Sequence, residues 1–311
     1  MSNSFNNRVF GCAIIKSINS NYNADFSHQP RTLPDGTVYA TDKVLKYSVR
    51  NYWKNVLSEK VFYSKSLTDE MSPRTLDETL EFHFGKIENS DKNKLRFEVL
   101  KKILSCLDVR LFGGTYAGKT NISIHGTCQI THGVNRYGEN VIYSEQIMSP
   151  FRNPSEKNAD STMTTLGTQS KLQEGHYLHH ISVNPKNLDE VVGLSGGNHL
   201  SKDDITKLKN ALRLGATYFD SSAKAGIDNE ALVWVTLAED AKSVLPTFNN
   251  LIKLDKVENK VILDLAELSA AIERVGAEVA NVEIYYLTES IKIENAPAKV
   301  KFFDITSGKE I

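Results

Sequence analysis

Residues 113–131 read GGTYAGKTNISIHGTCQIT, and the fold turns on whether residues 121–131 are helix or strand. Gly113, Gly114, Thr115, Tyr116, Ala117, Gly118, Lys119 and Thr120 fit G-x-x-x-x-G-K-[ST] at every position. A phosphate-binding loop of that form works because its glycines expose backbone N–H groups at the start of a helix whose dipole favours an anion. Residues 107–112 upstream are compatible with a strand. Downstream, Ile122, Ile124, Cys128 and Ile130 keep period two, with Gly126 in the middle of the run, so residues 121–131 are expected to be extended. No helix N-terminus then stands where the phosphates would sit. A partner motif exists in VILD at residues 261–264, but it comes late and leads into a helix. A nucleotidase built on Gly113 to Thr120 is therefore the alternative. The preferred reading is a glycine-rich loop between strands, where a nucleic-acid backbone can come close.

Elements on either side alternate. Residues 8–18 (RVFGCAIIKSI) are apolar and β-branched, the pattern of a central strand. Residues 20–36 carry Pro30, Pro34 and an Asp35-Gly36 turn signal. A helix is expected from Thr41 to about Leu57, capped by Thr41 or Asp42, and a second helical stretch over residues 75–107, clearest from Lys94. Strands are expected at 109–112, 121–131, 141–146, 175–183, 231–237, 282–287 and 299–305. Helices are expected at 265–275 and from Ser201 to about Leu214, where Ser201-x-x-Asp204 forms a capping-box start. Reduced to its core, the order is strand, helix, strand, strand, helix, strand. That order predicts an α+β fold of the ferredoxin-like or RRM type.

The first helix is charged on one side. At about 100° per residue, Leu45, Val49, Tyr52, Trp53 and Val56 share one face, while Lys43, Lys46, Arg50 and Lys54 share the opposite one. Four cations along about 16 Å of helix can neutralise several phosphates of one strand. A solvated face is the plainer reading, but no acidic residue lies between Lys43 and Lys54, where exposed helices usually mix signs. The whole chain hides this asymmetry: 37 Lys and Arg stand against 38 Asp and Glu, a net charge of −1. Residues 1–60 hold eight basic against four acidic residues and residues 251–311 eight against eleven, so the charge is polarised along the chain.

Composition excludes other classes. At 40% hydrophobic and 24% charged residues, the 311-residue chain can bury a sizeable core. The three cysteines, Cys12, Cys106 and Cys128, argue against a disulfide framework. The first residues lack the pattern of a signal peptide, and no apolar run approaches the about 20 residues of a membrane span. A soluble protein of a reducing cytoplasm is expected. His125, Cys128 and His132, and His176, His179 and His180, have metal-like spacings. Positions three apart on a strand point to opposite faces, however, so no metal is expected. Asp25, after the first strand, is the one carboxylate placed where a general base could act; a turn aspartate is the plainer reading. Residues 148–174 (MSPFRNPSEKNADSTMTTLGTQSKLQE) show no apolar period and are long for a connection between strands. A projecting arm or hairpin is one reading, a surface loop the other.

Together these features resemble one family, the backbone subunit of type I CRISPR Cascade complexes (the Cas-seven family), and its Csh-like type I-B branch in particular. The resemblance lies in FGCAIIKS at 10–17, NADFSHQPRTLPDGTVYATDKVLKYSVRNYW at 23–53, FGGT at 112–115, GTCQITHG at 126–133, and residues 177–184 with Pro185. It implies an RRM-like palm with a helical fingers insertion and a β-hairpin thumb. Residues 1–61 would be the palm's first strand and basic helix, 62–106 the fingers and 107–147 palm strands with the glycine loop. Residues 148–174 would be the thumb, and 175–311 the rest of the palm. The resemblance implies a non-catalytic subunit, without cofactor, that polymerises along a CRISPR RNA guide with copies of itself and other Cascade subunits and presents the guide to a target DNA strand in antiviral defence. Thr41, Lys43, Lys46 and Arg50 would hold guide phosphates, and Gly113, Gly114 and Thr115 would line the RNA path. Type III relatives cleave target RNA with an aspartate in the loop where Asp25 lies, although the flanking residues here depart from their pattern. A metal-dependent ribonuclease centred on Asp25 is thus a further alternative.

Overall fold

The computed structural model describes residues 4–148 and 166–311. In chain order the first elements are β1 (Val9–Ser20), β2 (Tyr39–Ala40), α1 (Asp42–Asn55), α2 (Leu76–Phe84), α3 (Lys92–Ile103) and α4 (Leu107–Phe112). Then come β3 (Gly113–Ala117), β4 (Asn121–His125), β5 (Cys128–Ile130), β6 (Gly133–Asn135), β7 (Ile142–Met148) and β8 (Leu166–Val183). After them lie α5 (Asp189–Ser195), α6 (Lys202–Tyr218), β9 (Ile227–Leu237), β10 (Lys253–Val257) and β11 (Lys260–Asp264). The chain ends with α7 (Ala266–Glu273), β12 (Val279–Tyr286), β13 (Ile291–Glu294) and β14 (Lys301–Asp304). The fold is of mixed α+β class.

β1 is the centre of the main sheet, antiparallel to β8 on one side and β9 on the other. The sheet runs β14-β12-β9-β1-β8-β6-β2, with β5 and β7 also paired to β8. From Val9 to Ile15 both faces of β1 are buried, which explains the unbroken apolar run there. Val9, Ala13 and Ile15 join one core with Leu45, Val49 and Trp53 of α1 and Leu208 and Leu212 of α6. Phe10, Cys12 and Ile14 join the other with Phe248, Leu263, Leu268 and Ile284. The acidic C-terminal third thus covers the second face of the sheet, through α7 and a small sheet of β10, β11 and β13. A third core, with Phe62, Leu80, Val99, Ile103, Val109, Tyr116 and Ile122, binds α2, α3, α4 and the β3–β4 hairpin.

Four expectations are corrected. Residues 109–112 are helix, not strand: Asp108 and Arg110 find buried partners in different directions, and these tertiary ties override a β-branched pattern. The single helical stretch of 75–107 is divided, because Gly85 ends α2 at φ 74° and Asp91 caps α3 anew. Residues 121–131 are extended, but they break at Gly126 into β4 and β5, which belong to different sheets. Finally, the strand expected at 175–183 begins at Leu166, and its first residues pair with β7 from Ile142↔Leu172 to Met148↔Leu166. The ends of the long insertion are therefore a hairpin ladder, and residues 149–165 lie outside the described residues. The capping box of Ser201 and Asp204 forms as expected and opens α6. Among the described residues no helix is long and apolar enough to cross a membrane.

Candidate nucleic-acid interface

α1 packs its apolar face on the sheet and carries its cations on the other side, where Lys43 is exposed. Thr41 is its N-cap, but its hydroxyl does not cap the helix. The backbone N and Oγ1 of Thr41 both donate to Asn23 Oδ1, at 2.8 and 2.9 Å, anchoring the start of α1 to the loop after β1. Lys46 Nζ lies 3.0 Å and Lys43 Nζ 3.2 Å from the Asp42 carboxylate. Burial favours the neutral acid at Asp42, yet Lys46 and Lys43 outweigh it and hold this carboxyl below its ordinary value.

The four cations differ. The Lys43 side chain is 80% exposed, whereas Lys46 and Arg50 keep only 13% and 17% of theirs in solvent. Both of the latter lie over the Phe112 ring, 5.5 and 5.1 Å from its centroid, and Trp53 stacks on the same ring. Arg50 Nε reaches Asp108 Oδ2 at 3.2 Å, and that buried carboxylate also accepts from the backbone N–H of Phe62 and Tyr63. Lys54 Nζ donates to Ser64 Oγ and the Lys65 carbonyl, both at 3.3 Å. The opposite face of α1 is thus not a uniform solvated stripe. Its negative partners come from the helix's first residue and from α4, where a search between Lys43 and Lys54 cannot find them.

Phe112 joins the two expected parts of the site, since Gly113 comes directly after it. Gly113 ends α4 at φ 67°, and a Cβ there would overlap the Ile124 carbonyl and the Gly126 amide. A Cβ on Gly114 would overlap the Tyr63 ring. Both glycines therefore serve close approach by this chain's own backbone and aromatic ring. Thr115 is exposed, with Oγ1 3.0 Å from Ser123 Oγ. The Tyr63 hydroxyl is buried without a hydrogen-bond partner among the described residues, at a cavity of about 80 Å³ shared with Tyr47, Arg50 and Lys54.

The alternative chemistries lack their geometry. A helix precedes Gly113 and a β-hairpin comes after it, the reverse of a phosphate-binding loop. Lys119 pairs with Glu81 at 2.9 Å, and its backbone N–H donates to Asp77. Asp25 Oδ1 accepts from the backbone N–H of Ser27 and Gln29, at 2.8 and 2.9 Å, and so builds a turn. His176, His179 and His180 are engaged within the protein. His176 lies between Glu230 and Glu174, His179 between Thr131 and Tyr22, and His180 accepts from the Phe248 N–H. His125 is exposed at the end of β4 while Cys128 is buried in β5 of the other sheet. Sequence reasoning missed Asp108 and Tyr63, and it named Phe112 only as the first residue of FGGT. The charged pair Asp108 and Arg110 within an apolar run was the one signal that could have pointed to them.

The profile of CRISPR-associated protein Cas7 matches residues 7–273. Among solved structures, a chain of a "CRISPR RNA-guided surveillance complex, pre-nicking" is similar with a TM-score of 0.58 and 16% identity, over 96% of each chain. A chain of a "CRISPR RNA-guided surveillance complex" is similar with a TM-score of 0.50 and 16% identity, over 90% of this chain and 89% of that one. Curated proteins gave no match. At such identity the structural likeness concerns the fold, but the matched profile spans most of the sequence, and the chain belongs to the Cas7 family of CRISPR-associated proteins.

Proposed function

We propose that this protein is the CRISPR RNA-binding backbone subunit of a type I surveillance complex. Copies of it assemble along the guide, with the other subunits, and present the guide to a target DNA strand in antiviral defence. The observation that carries the reading is the Cas7 match along residues 7–273. The outward cations of α1 supply the chemistry, since phosphates need cations that are not fully consumed inside the protein. Lys43 keeps 80% of its side chain in solvent beside Asp42, and Lys54 meets no carboxylate among the described residues. Thr41, Lys46 and Arg50 hold the same surface in shape and share it, and Gly113, Gly114 and Thr115 border it beyond Phe112.

In this reading the sheet with α1 and α6 is an RRM-like palm, formed by residues 1–61, 107–147 and 175–311. Its spatial order β9-β1-β8-β6 supports that assignment. Residues 62–106 are the fingers, built on the third core, and 148–174 the thumb, rising from the β7–β8 ladder. The role is a non-catalytic scaffold of the cytoplasm, and the ordered set of segments that resembles the family supports the I-B branch. The deciding experiment is expression with a CRISPR array, purification, and sequencing of the bound RNA. Spacer-derived RNA of defined length is expected; bulk cellular RNA without spacer enrichment would overturn the assignment.

A further inference from the structure

The loop between β1 and β2 holds Phe26 almost wholly in solvent, at 99% exposure. Exposing a whole phenyl ring forgoes the burial that an aromatic side chain offers. The turn beneath it is nonetheless firmly built. Asp25 accepts from Ser27 and Gln29, the Asp25 N–H donates to the Gln29 carbonyl, and Ala24 bridges to Pro30. Asn21 Nδ2 further ties the His28 carbonyl to that of Ser170 in β8. The ring is thus presented on a braced support.

The neck of the same loop is joined to the basic helix. Asn23, three residues before Phe26, accepts both hydrogen bonds of Thr41 at the start of α1. Three residues of chain span at most about 10 Å, so the backbone of Phe26 lies within that reach of Asn23, the residue that holds the Thr41 end of the cationic surface. Tyr39 and His132, with ring centroids 5.7 Å apart, flank that end, and His132 Nδ1 accepts the Asp42 N–H at 3.3 Å. Cations beside projecting aromatics are what single-stranded nucleic acids bind, phosphates on the charges and bases on the rings.

We infer that Phe26 is a base-stacking residue, taking an unpaired nucleobase of a strand whose phosphates lie at the start of α1. The inference rests on the proposed guide-binding role. Either the guide RNA or the target DNA supplies such a base.

The test uses the assembled guide complex with 2-aminopurine placed in turn along the guide and along the target strand. Wild-type protein should quench the probe at recurring positions in one of the two strands, which identifies the source. Phe26→Ala should abolish that quenching and weaken binding of that strand roughly tenfold, while Phe26→Trp should retain both. The ring has no buried contacts to lose, so both variants should melt as wild type does. Unchanged quenching and affinity in Phe26→Ala would overturn the stacking role. So would loss of subunit association by Phe26→Ala in RNA-free protein, which would mark the ring as a contact between copies. A wild-type protein that binds no guide would instead refute the guide-binding role itself.

Discussion

Arg50 Nε stands 3.2 Å from Oδ2 of Asp108, whose carboxylate is buried and accepts two further backbone N–H groups, from Phe62 and Tyr63. This one carboxylate ties together the basic helix, the segment entering the third core, and α4. Leaving one member of a buried pair alone costs about 3–5 kcal/mol. Asp108→Ala strands a guanidinium and two amide hydrogens, and it should lose about that much in urea unfolding. Arg50→Ala should cost less, about 1–3 kcal/mol, because Asp108 keeps its amide donors. An Asp108→Ala protein as stable as wild type would refute this account.

Arg50 is therefore a poor probe of nucleic-acid binding, since its removal also loosens the fold. Lys43 separates the two effects. Its side chain is 80% exposed and its pair with Asp42 is duplicated by Lys46. Lys43→Ala should leave the melting temperature unchanged, weaken guide binding, and reduce the slope of log K against log salt by about one. A changed melting temperature with an unchanged slope would give Lys43 a structural role instead.

Lys119 supplies the lysine of the G-x-x-x-x-G-K-[ST] match but sits in the β3–β4 turn, salt-bridged to Glu81. Lys119→Ala should leave guide assembly intact, and neither it nor the wild type should hydrolyse ATP. Hydrolysis by wild type that vanished in the variant would restore the nucleotidase reading.

What was legible in the sequence depended on range. β1, buried on both faces, and α6, with its capping box, announce themselves by local pattern and appear where expected. The period-two run of 121–131 correctly excluded a helix after the glycines. Its division between two sheets was hidden, because it depends on Gly126 meeting Gly113 across the hairpin. α4 reads as strand in sequence because its helical state rests on Asp108 meeting Phe62 and Tyr63 and on Arg110 meeting Asp204, partners up to 94 positions away. At the site, helical spacing located the four cations, whereas their differences in exposure came from Phe112 and Asp108, which only the folded chain brings near.

Two buried histidines set an acid limit. Burial pushes His179 and His180 down to about 4 from an ordinary 6.5, despite a hydrogen bond at each that opposes the shift. The folded state thus refuses a proton that the unfolded chain accepts. Their stabilisation is complete above pH 6.5 and drains away between 6.5 and 4. Burial also opposes charge on His176, but Glu230 and Glu174 prevail and raise it, so its contribution is full at low pH and lost as pH rises through the raised value. Urea unfolding should show stability falling from pH 7 to pH 5. His180→Gln keeps an acceptor for the Phe248 N–H and cannot take up the proton, so it should narrow that difference. A difference of the same size in the variant would exclude His180 as a source.

The insertion between β7 and β8 bears the assembly prediction, and the ladder dictates how to cut it. Replacing residues 150–171 would remove the strand that pairs with β7, together with the Ser144–Ser170 hydrogen bond, the Lys171–Glu145 ion pair and the Asn21 contact to the Ser170 carbonyl. A loss of order in such a protein would not separate the insertion from the ladder. The informative variant replaces only residues 149–165 with a short Gly-Ser turn, which lets Met148↔Leu166 close the hairpin. Ile147 and Met148, at that end of the ladder, are about half exposed or more, so they offer apolar contact to something other than this chain's own core. If the insertion is the thumb and acts between subunits, the shortened protein should melt as wild type does and still bind RNA through α1. It should lose ordered stacking, and the alternation of protected and exposed guide positions should vanish from a nuclease footprint. A periodic footprint from the shortened protein would make the segment a surface loop and place the spacing of subunits elsewhere on the palm.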